Sequence, residues 1–403
     1  MPPNAFPAPT SSKLLAGAAL WAFAVGLTGC MSPATLDRAV IAYDRATTDI
    51  LSKQLLLNIA RAHQHQPMHF TGVSNIAATF NFQFNAGATP ALTGSSGSLL
   101  TPIFGGTVSE NPTVSIVPME GEEFTRRLLT PIQETKLTML LRQGADVDLV
   151  LRLIAGELRM RKDGREVVYF NRPSDATGYP LFRQAVLHLS TVQDRHALYV
   201  EPLIFERRWS VPAASLSPEQ LAALQKEFNV DYVPGRPLAG LSKRVTGHIL
   251  VTNYDTAMLS NEERIRLHEE ADQGPPNAIT VDIRPEYPGG ELPFHGSFRF
   301  RSFHNVLDFI GQDIAEAPEY DVPRHPQTPP VSENPVHTME VLVADSEPSD
   351  ADVSVNLNGR YYAVKPDSGY QWNREAFRLL SQVFQMTMTE LPQFGVPSIT
   401  IAK

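Results

Sequence analysis

Only one stretch of the 403-residue chain is continuously apolar, residues 14–27, and its roughly 14 residues fall short of the ~20 that a membrane-spanning helix needs. One cation, Lys13, stands immediately before it. A short apolar run behind a positive charge is the layout of a secretory signal peptide. The chain beyond residue 27 must therefore fold outside the bilayer as far as helices are concerned. A content of 42% hydrophobic and 19% charged residues suits a globular body.

The end of that run is more specific. Cys30 is the only cysteine, so no internal disulfide can form, and a free thiol is a liability in an oxidising compartment. Leu27, Thr28, Gly29 and Cys30 resemble the lipobox of bacterial lipoproteins: aliphatic, small, small, cysteine. The resemblance implies cleavage between Gly29 and Cys30, with recognition through Leu27, Thr28 and Gly29. It also implies covalent diacylglycerol on the Cys30 thiol and a fatty acyl chain on the new amino terminus. Two or more chains hold a protein on a membrane stably, whereas one binds marginally. Met31 and Ser32 come after the cysteine with no aspartate, which by resemblance to sorting in enteric bacteria implies the outer membrane, with the body facing the periplasm. The alternative, an ordinary secretory leader, leaves Cys30 an unexplained free thiol. No cofactor beyond the covalent lipid is expected.

Formal net charge is −9, and the leader's only charged side chain is Lys13, so the mature chain is more acidic still. With no broad basic field to displace counterions, nucleic acid is excluded as an expected partner. The 33 prolines point to many loop boundaries and to a stiff connector where they crowd together, at 317–336.

Patterning predicts an α+β fold: an N-terminal helix, several β-hairpins packed with amphipathic helices, and a small C-terminal hairpin-helix unit. A helix is expected over 35–62, where Leu36, Val40, Tyr43, Ile50, Leu55 and Ile59 form an imperfect stripe. Over 76–85, Phe80, Phe82 and Phe84 alternate with polar residues, as in a strand with one apolar face. A loop centred on Gly94, Ser95, Ser96 and Gly97 leads to a second alternating segment at 107–117, weakened by Pro112. Helices are expected at 122–129, 146–158 and 181–192, with Asp146 as an N-cap. Asp163 and Gly164 predict a hairpin turn between 159–162 and 167–170. Strands are expected at 197–205, 245–251, 279–283 and 296–302, the last feeding a helix that carries Phe303, Val306, Leu307, Ile310 and Ile314. Capping boxes at Ser217 and Ser260 start two further helices. In the C-terminal unit, a strand at 338–343 precedes 353–357 and 361–364, which pair across Asn358 and Gly359. A helix over 373–388 and a strand at 397–401 complete it.

The domains read as signal peptide 1–29, anchor and first helix 30–66, main α+β domain 67–316 with the long hairpin at 76–117, proline-rich linker 317–336, and C-terminal unit 337–403. Residues 112–132, 297–314 and 358–385, the last with Tyr361, Tyr362 and the run from Leu379 to Phe384, resemble an uncharacterised group of bacterial lipoproteins. That resemblance transfers no catalytic residue.

Chemistry-bearing motifs are sparse. His63, His65 and His69 are the one histidine cluster, but Pro67 interrupts the helix that would align them and no carboxylate lies among them, so a polar helix terminus is expected. The basic run Arg159, Arg161, Lys162 and Arg165 flanks a turn, as a solvated hairpin does. No P-loop, Gly-x-Ser-x-Gly elbow or His-Glu-x-x-His motif occurs. The expected role is a non-enzymatic binding or assembly component of an envelope complex, with a protein partner or further copies of the chain. The alternative is a subunit of an oligomeric outer-membrane pore or secretion channel built from the 76–117 hairpin, whose candidate membrane or partner residues are Phe80, Phe82 and Phe84. A hydrolase, its groups converging only in the fold, ranks behind both.

Overall fold

A computed structural model describes residues 12–90, 100–162, 164–233 and 235–387, with side chains described outside 12–36, 73–115 and Ser215. The loop centred on residues 94–97, Asp163 and the expected strand at 397–401 lie outside the described residues. The chain divides into two compact units, and the fold is α+β.

The first unit takes in the described parts of Met1–Gln54 and Thr71–Val117. Helix α1 (Ser12–His63) is continuous for 52 residues and so includes the whole of the helix expected over 35–62. Its stripe does not behave as one surface. Val40, Ile41 and Ile50 are exposed, at 57%, 52% and 41%, whereas Leu55 and Ile59, which belong to the second unit, are fully buried. Strands β1 (Phe70–Pro90) and β2 (Leu100–Met119) run for 21 and 20 residues and, among the described residues, pair only with each other in a two-stranded sheet. Both exceed the alternating segments at 76–85 and 107–117. Pro112 sits inside β2. At the base of the ribbon Gln54 grips Thr71 twice, Nε2 donating to Oγ1 at 2.8 Å and Oε1 accepting from the backbone N–H at 2.9 Å.

The second unit takes in Leu55–Phe70 and the described part of Pro118–Leu391. It begins with α2 (Glu122–Leu129), α3 (Glu134–Arg142) and α4 (Val147–Ile154). Asp146 caps α4, its Oδ1 accepting from the Asp148 N–H at 2.8 Å. The helix stops at Ile154 instead of continuing to residue 158. Leu158 is drawn into strand β3 (Ala155–Lys162) and lies opposite Phe298 of β9 (Phe294–Phe300), both fully buried. Strand β4 (Arg165–Phe170) completes the expected hairpin, with Gly164 at φ 75°.

Helix α5 (Gly178–Asp194) is succeeded by β5 (Tyr199–Pro212), α6 (Pro218–Leu224), β6 (Asn229–Asp231), β7 (Leu238–Thr252), α7 (Asn261–Asp272) and β8 (Ala278–Ile283). Both capping boxes form, at Ser217 and Ser260. The seven-stranded sheet runs β4-β3-β9-β8-β7-β5, with β6 also on β7, and only β7 and β8 pair in parallel, across the α7 connection. Phe182 of α5 meets Phe298 edge-on at 5.7 Å, joining helix to sheet. Each such fully buried side chain contributes about 1.5–3 kcal/mol of burial free energy.

Helix α8 (Phe303–Asp313) starts at a Ser302 cap. A three-stranded sheet, β10 (Val341–Ala344), β12 (Arg360–Val364) and β11 (Ser354–Leu357) in that order, precedes α9 (Trp372–Thr387). Its hairpin turns on Asn358 and Gly359, at φ 53° and 82°, as their sequence requires. Tyr362 and Val364 pack on Leu56 and Ala60 of α1, and Phe70 stacks on Phe384 of α9 at 4.9 Å. The described residues 337–387 lie in the same compact unit as the rest of this body. Residues 317–336 lack regular structure, but they are no free spacer: Glu319, Val322 and Thr328 are buried.

Candidate functional site

The densest polar chemistry in the second unit is centred on α4. All eight residues of α4 are buried, including Asp148 and Arg152 one turn apart. Two charges inside an apolar helix must find partners, because unpaired burial of an ion costs several kcal/mol. Arg152 directs Nε to Thr338 Oγ1 at 3.1 Å and Nη1 to the Pro335 carbonyl at 2.8 Å. Its Nη2 reaches Glu319 Oε1 at 3.2 Å and the Val336 carbonyl at 2.6 Å. Arg183 of α5 donates to Asp148 Oδ1 at 2.6 Å and to Asn334 Oδ1 at 3.1 Å. Glu319 also accepts from the Tyr179 hydroxyl at 2.8 Å, the Thr338 hydroxyl at 3.0 Å and the Thr338 N–H. The network straps the proline-rich segment across α4 and α5.

These pairings set the ionisation of each member. Burial opposes ionisation of Glu319, but Arg152 and Arg183 outweigh it and hold the carboxyl below its ordinary value. Burial, reinforced by the Glu319 charge, raises the Tyr179 phenol. At the edge of the network His337 Nδ1 lies 2.9 Å from Asp313 Oδ2, and that hydrogen bond raises the imidazole. Burial pushes Asp313 up in turn.

His337 borders a cleft of about 700 Å³, together with Glu340, Lys365, Asp367, Tyr370 and Trp372. An aspartate that orients a histidine at a cleft supplies two parts of a hydrolytic site. A third is missing: among the described residues no hydroxyl is hydrogen-bonded to His337 Nε2. Asp313, Glu319 and His337 bring one ligand atom each within 4.8 Å of one another, the spacing of a cation site. Glu319, however, already spends its oxygens on Arg152, Tyr179 and Thr338. The arrangement is suited to holding the fold and, at His337, a proton.

The residues singled out from sequence fall elsewhere. Leu27, Thr28, Gly29 and Cys30 lie in α1, and Phe80, Phe82 and Phe84 in β1, all with side chains outside the described set. The histidine cluster is dispersed. His63 packs edge-on to Tyr362 at 5.9 Å, His65 pairs with Glu316 at 2.5 Å, and the His69 backbone is held by Asn58. Arg159 pairs with Glu157 at 2.7 Å, and Arg161, Lys162 and Arg165 are exposed.

The Asp148 and Arg152 spacing inside an apolar run was a readable signal for the network. Glu319 and His337 carried none, since their partners are remote in sequence. Comparison with protein-family models, curated proteins and solved structures returns no match to this chain.

Proposed function

We propose that this chain is a lipoprotein held in the outer membrane by diacylglycerol and fatty acyl on Cys30, facing the periplasm and working by binding, as an assembly component of an envelope complex. One observation carries the assembly role: a hairpin of 21- and 20-residue strands whose outer edges have no strand partner among the described residues. At about 3.3 Å per residue each strand is roughly 65–70 Å long. A two-stranded ribbon is marginal in water, and long free edges are templates for pairing with another chain. The exposed Val40, Ile41 and Ile50 on α1 belong to the same unit and add apolar area for a neighbour. Extraction in mild detergent with native mass measurement tests the role. A stoichiometric partner or homo-oligomer is expected, and loss of that complex on replacing residues 76–117 by a short Gly-Ser turn locates the contact.

Strand length also favours the pore reading. About 9–11 tilted residues cross an outer membrane, and both strands exceed this. Only a closed barrel could do so, which requires a hairpin from each of several copies. Asn81→Cys and Gln83→Cys, on the polar register opposite Phe80, Phe82 and Phe84, distinguish the cases. A bulky thiol reagent blocks conductance in recordings from a lumen and leaves membranes silent when the hairpin is a periplasmic contact element. The assembly reading expects silence.

A further inference from the structure

A second cavity of the same unit, about 490 Å³, opens between β3, β9 and α8, and its charges do not balance. Two acids border it, and both are engaged. Glu157 is held by Arg159 at 2.7 Å and Arg299 at 3.5 Å, and Asp308 by His304 at 2.9 Å. Three arginines border it as well: Arg299, already paired with Glu157, and Arg172 and Arg301, neither of which has a carboxylate hydrogen-bonded to it among the described residues. Arg301 rests on the Phe309 ring at 3.9 Å. It donates only to carbonyls: Arg152 at 3.1 Å and Leu153 at 3.3 Å from Nη1, and Asn171 at 2.6 Å from Nη2. Its Nε–H and one Nη2 hydrogen have no acceptor among the described residues. Gly156 makes room for this side chain, since a Cβ there would meet Arg301 Cγ at 3.2 Å. Burial brings Arg301 down to about 9, with the Arg172 charge adding to the effect and the Glu319 and Tyr179 charges opposing it. The capped N-terminus of α8, with Ser302 and Asn305 on the cavity wall, adds a positive dipole end.

We propose that this cavity is an oxyanion site that takes the phosphoryl group of a small phosphomonoester. Two guanidiniums with no hydrogen-bonded carboxylate among the described residues match a phosphoryl dianion, whereas a carboxylate would neutralise one. Arginine's fork of donors suits phosphate oxygens. The volume exceeds what inorganic phosphate fills and falls in the ordinary range for small-molecule sites. Phe300 and Phe309 line the remainder for an apolar or glycerol portion. The same headgroup could arrive free or on a phosphatidic acid.

Calorimetric titration of the full lipidated chain in mild detergent tests the site, with glycerol 3-phosphate and short-chain phosphatidic acid as separate probes and glycerol as control. Saturable binding of at least one phosphorylated probe is expected. Binding of both assigns the headgroup alone, and binding of the phosphatidic acid alone assigns a lipid source. Arg301 also holds α4 carbonyls, so Arg172→Glu is the informative variant, being exposed and without a hydrogen bond from its side chain. It should weaken binding by about tenfold or more, roughly 1.4 kcal/mol, at unchanged melting temperature, while Arg172→Lys retains most of the affinity. No binding of either probe at millimolar concentration, or equal affinity in Arg172→Glu, would overturn the assignment.

Discussion

No single apolar residue could replace Arg152, because it makes four hydrogen bonds to one strap of chain. Removing it strands Glu319, which is 4% exposed, and frees two carbonyls of that strap. Arg152→Met should therefore cost about 3–5 kcal/mol in urea unfolding. A loss below 1 kcal/mol would mean that the strap holds by other contacts. A second residue-scale prediction concerns Asp282, which accepts from the Tyr254 hydroxyl at 2.5 Å and Arg284 Nε at 2.8 Å and lies 3.1 Å from His295 Nδ1. Burial opposes its ionisation, but the hydrogen bonds from His295, Tyr254 and Arg284 prevail and bring it from 3.8 to about 2. A depressed carboxyl contributes stability above its unfolded value. That contribution, about 2 kcal/mol, is lost as pH falls from about 4 to 2. His295 is raised, chiefly by the same Asp282 bond, so its share is complete below 6.5 and fades as pH rises through its folded value. Unfolding curves from pH 2 to 8 should show both limbs, and Asp282→Asn should flatten them. An unchanged profile would refute the linkage. The long-range partners carry no local signal: Arg152 and Glu319 are 167 residues apart, and nothing local marks one for the other.

Elements were legible where a local rule suffices. Both capping boxes, the Asp146 cap and the two hairpin turns formed as their sequences require, because caps and turns are satisfied within four residues. Gly359→Val should then cost about 1–3 kcal/mol, since φ 82° is closed to a β-branched side chain. A melting temperature within a degree of the parent would show that the turn can relax. Boundaries failed where tertiary pairing decided them. The apolar run into Leu158 reads as helix, and β9 claims it as strand. Helix α3 escaped notice because Gln133 supplies no side-chain cap and the segment offers no start signal. Alternation marked the long hairpin only in part, and ladder pairing carries its strands well beyond 76–85 and 107–117. Arg172 follows β4 and Arg301 follows β9, so no sequence window could contain both.

For the whole molecule, the proline-rich stretch is the instructive case. Composition reads it as a spacer, yet its carbonyls and Glu319 satisfy the buried Arg152, and burial of polar groups with partners fixes chain that propensity leaves free. Among the described residues no helix is long and apolar enough to cross a membrane. The proposal therefore rests anchoring on Cys30. Cys30→Ser should abolish incorporation of a clickable fatty acid and leave the precursor unprocessed, because the chain has no second thiol; undiminished labelling would remove the anchor from the proposal. Given that anchor, assembly through the hairpin is what most needs testing. The direct measurement is the native mass of the full lipidated chain, extracted from membranes in several mild detergents. The hairpin's edges, without a strand partner among the described residues, predict a stoichiometric complex with a partner protein or with further copies of the chain, recovered in each detergent. A clean monomer in all of them would contradict it.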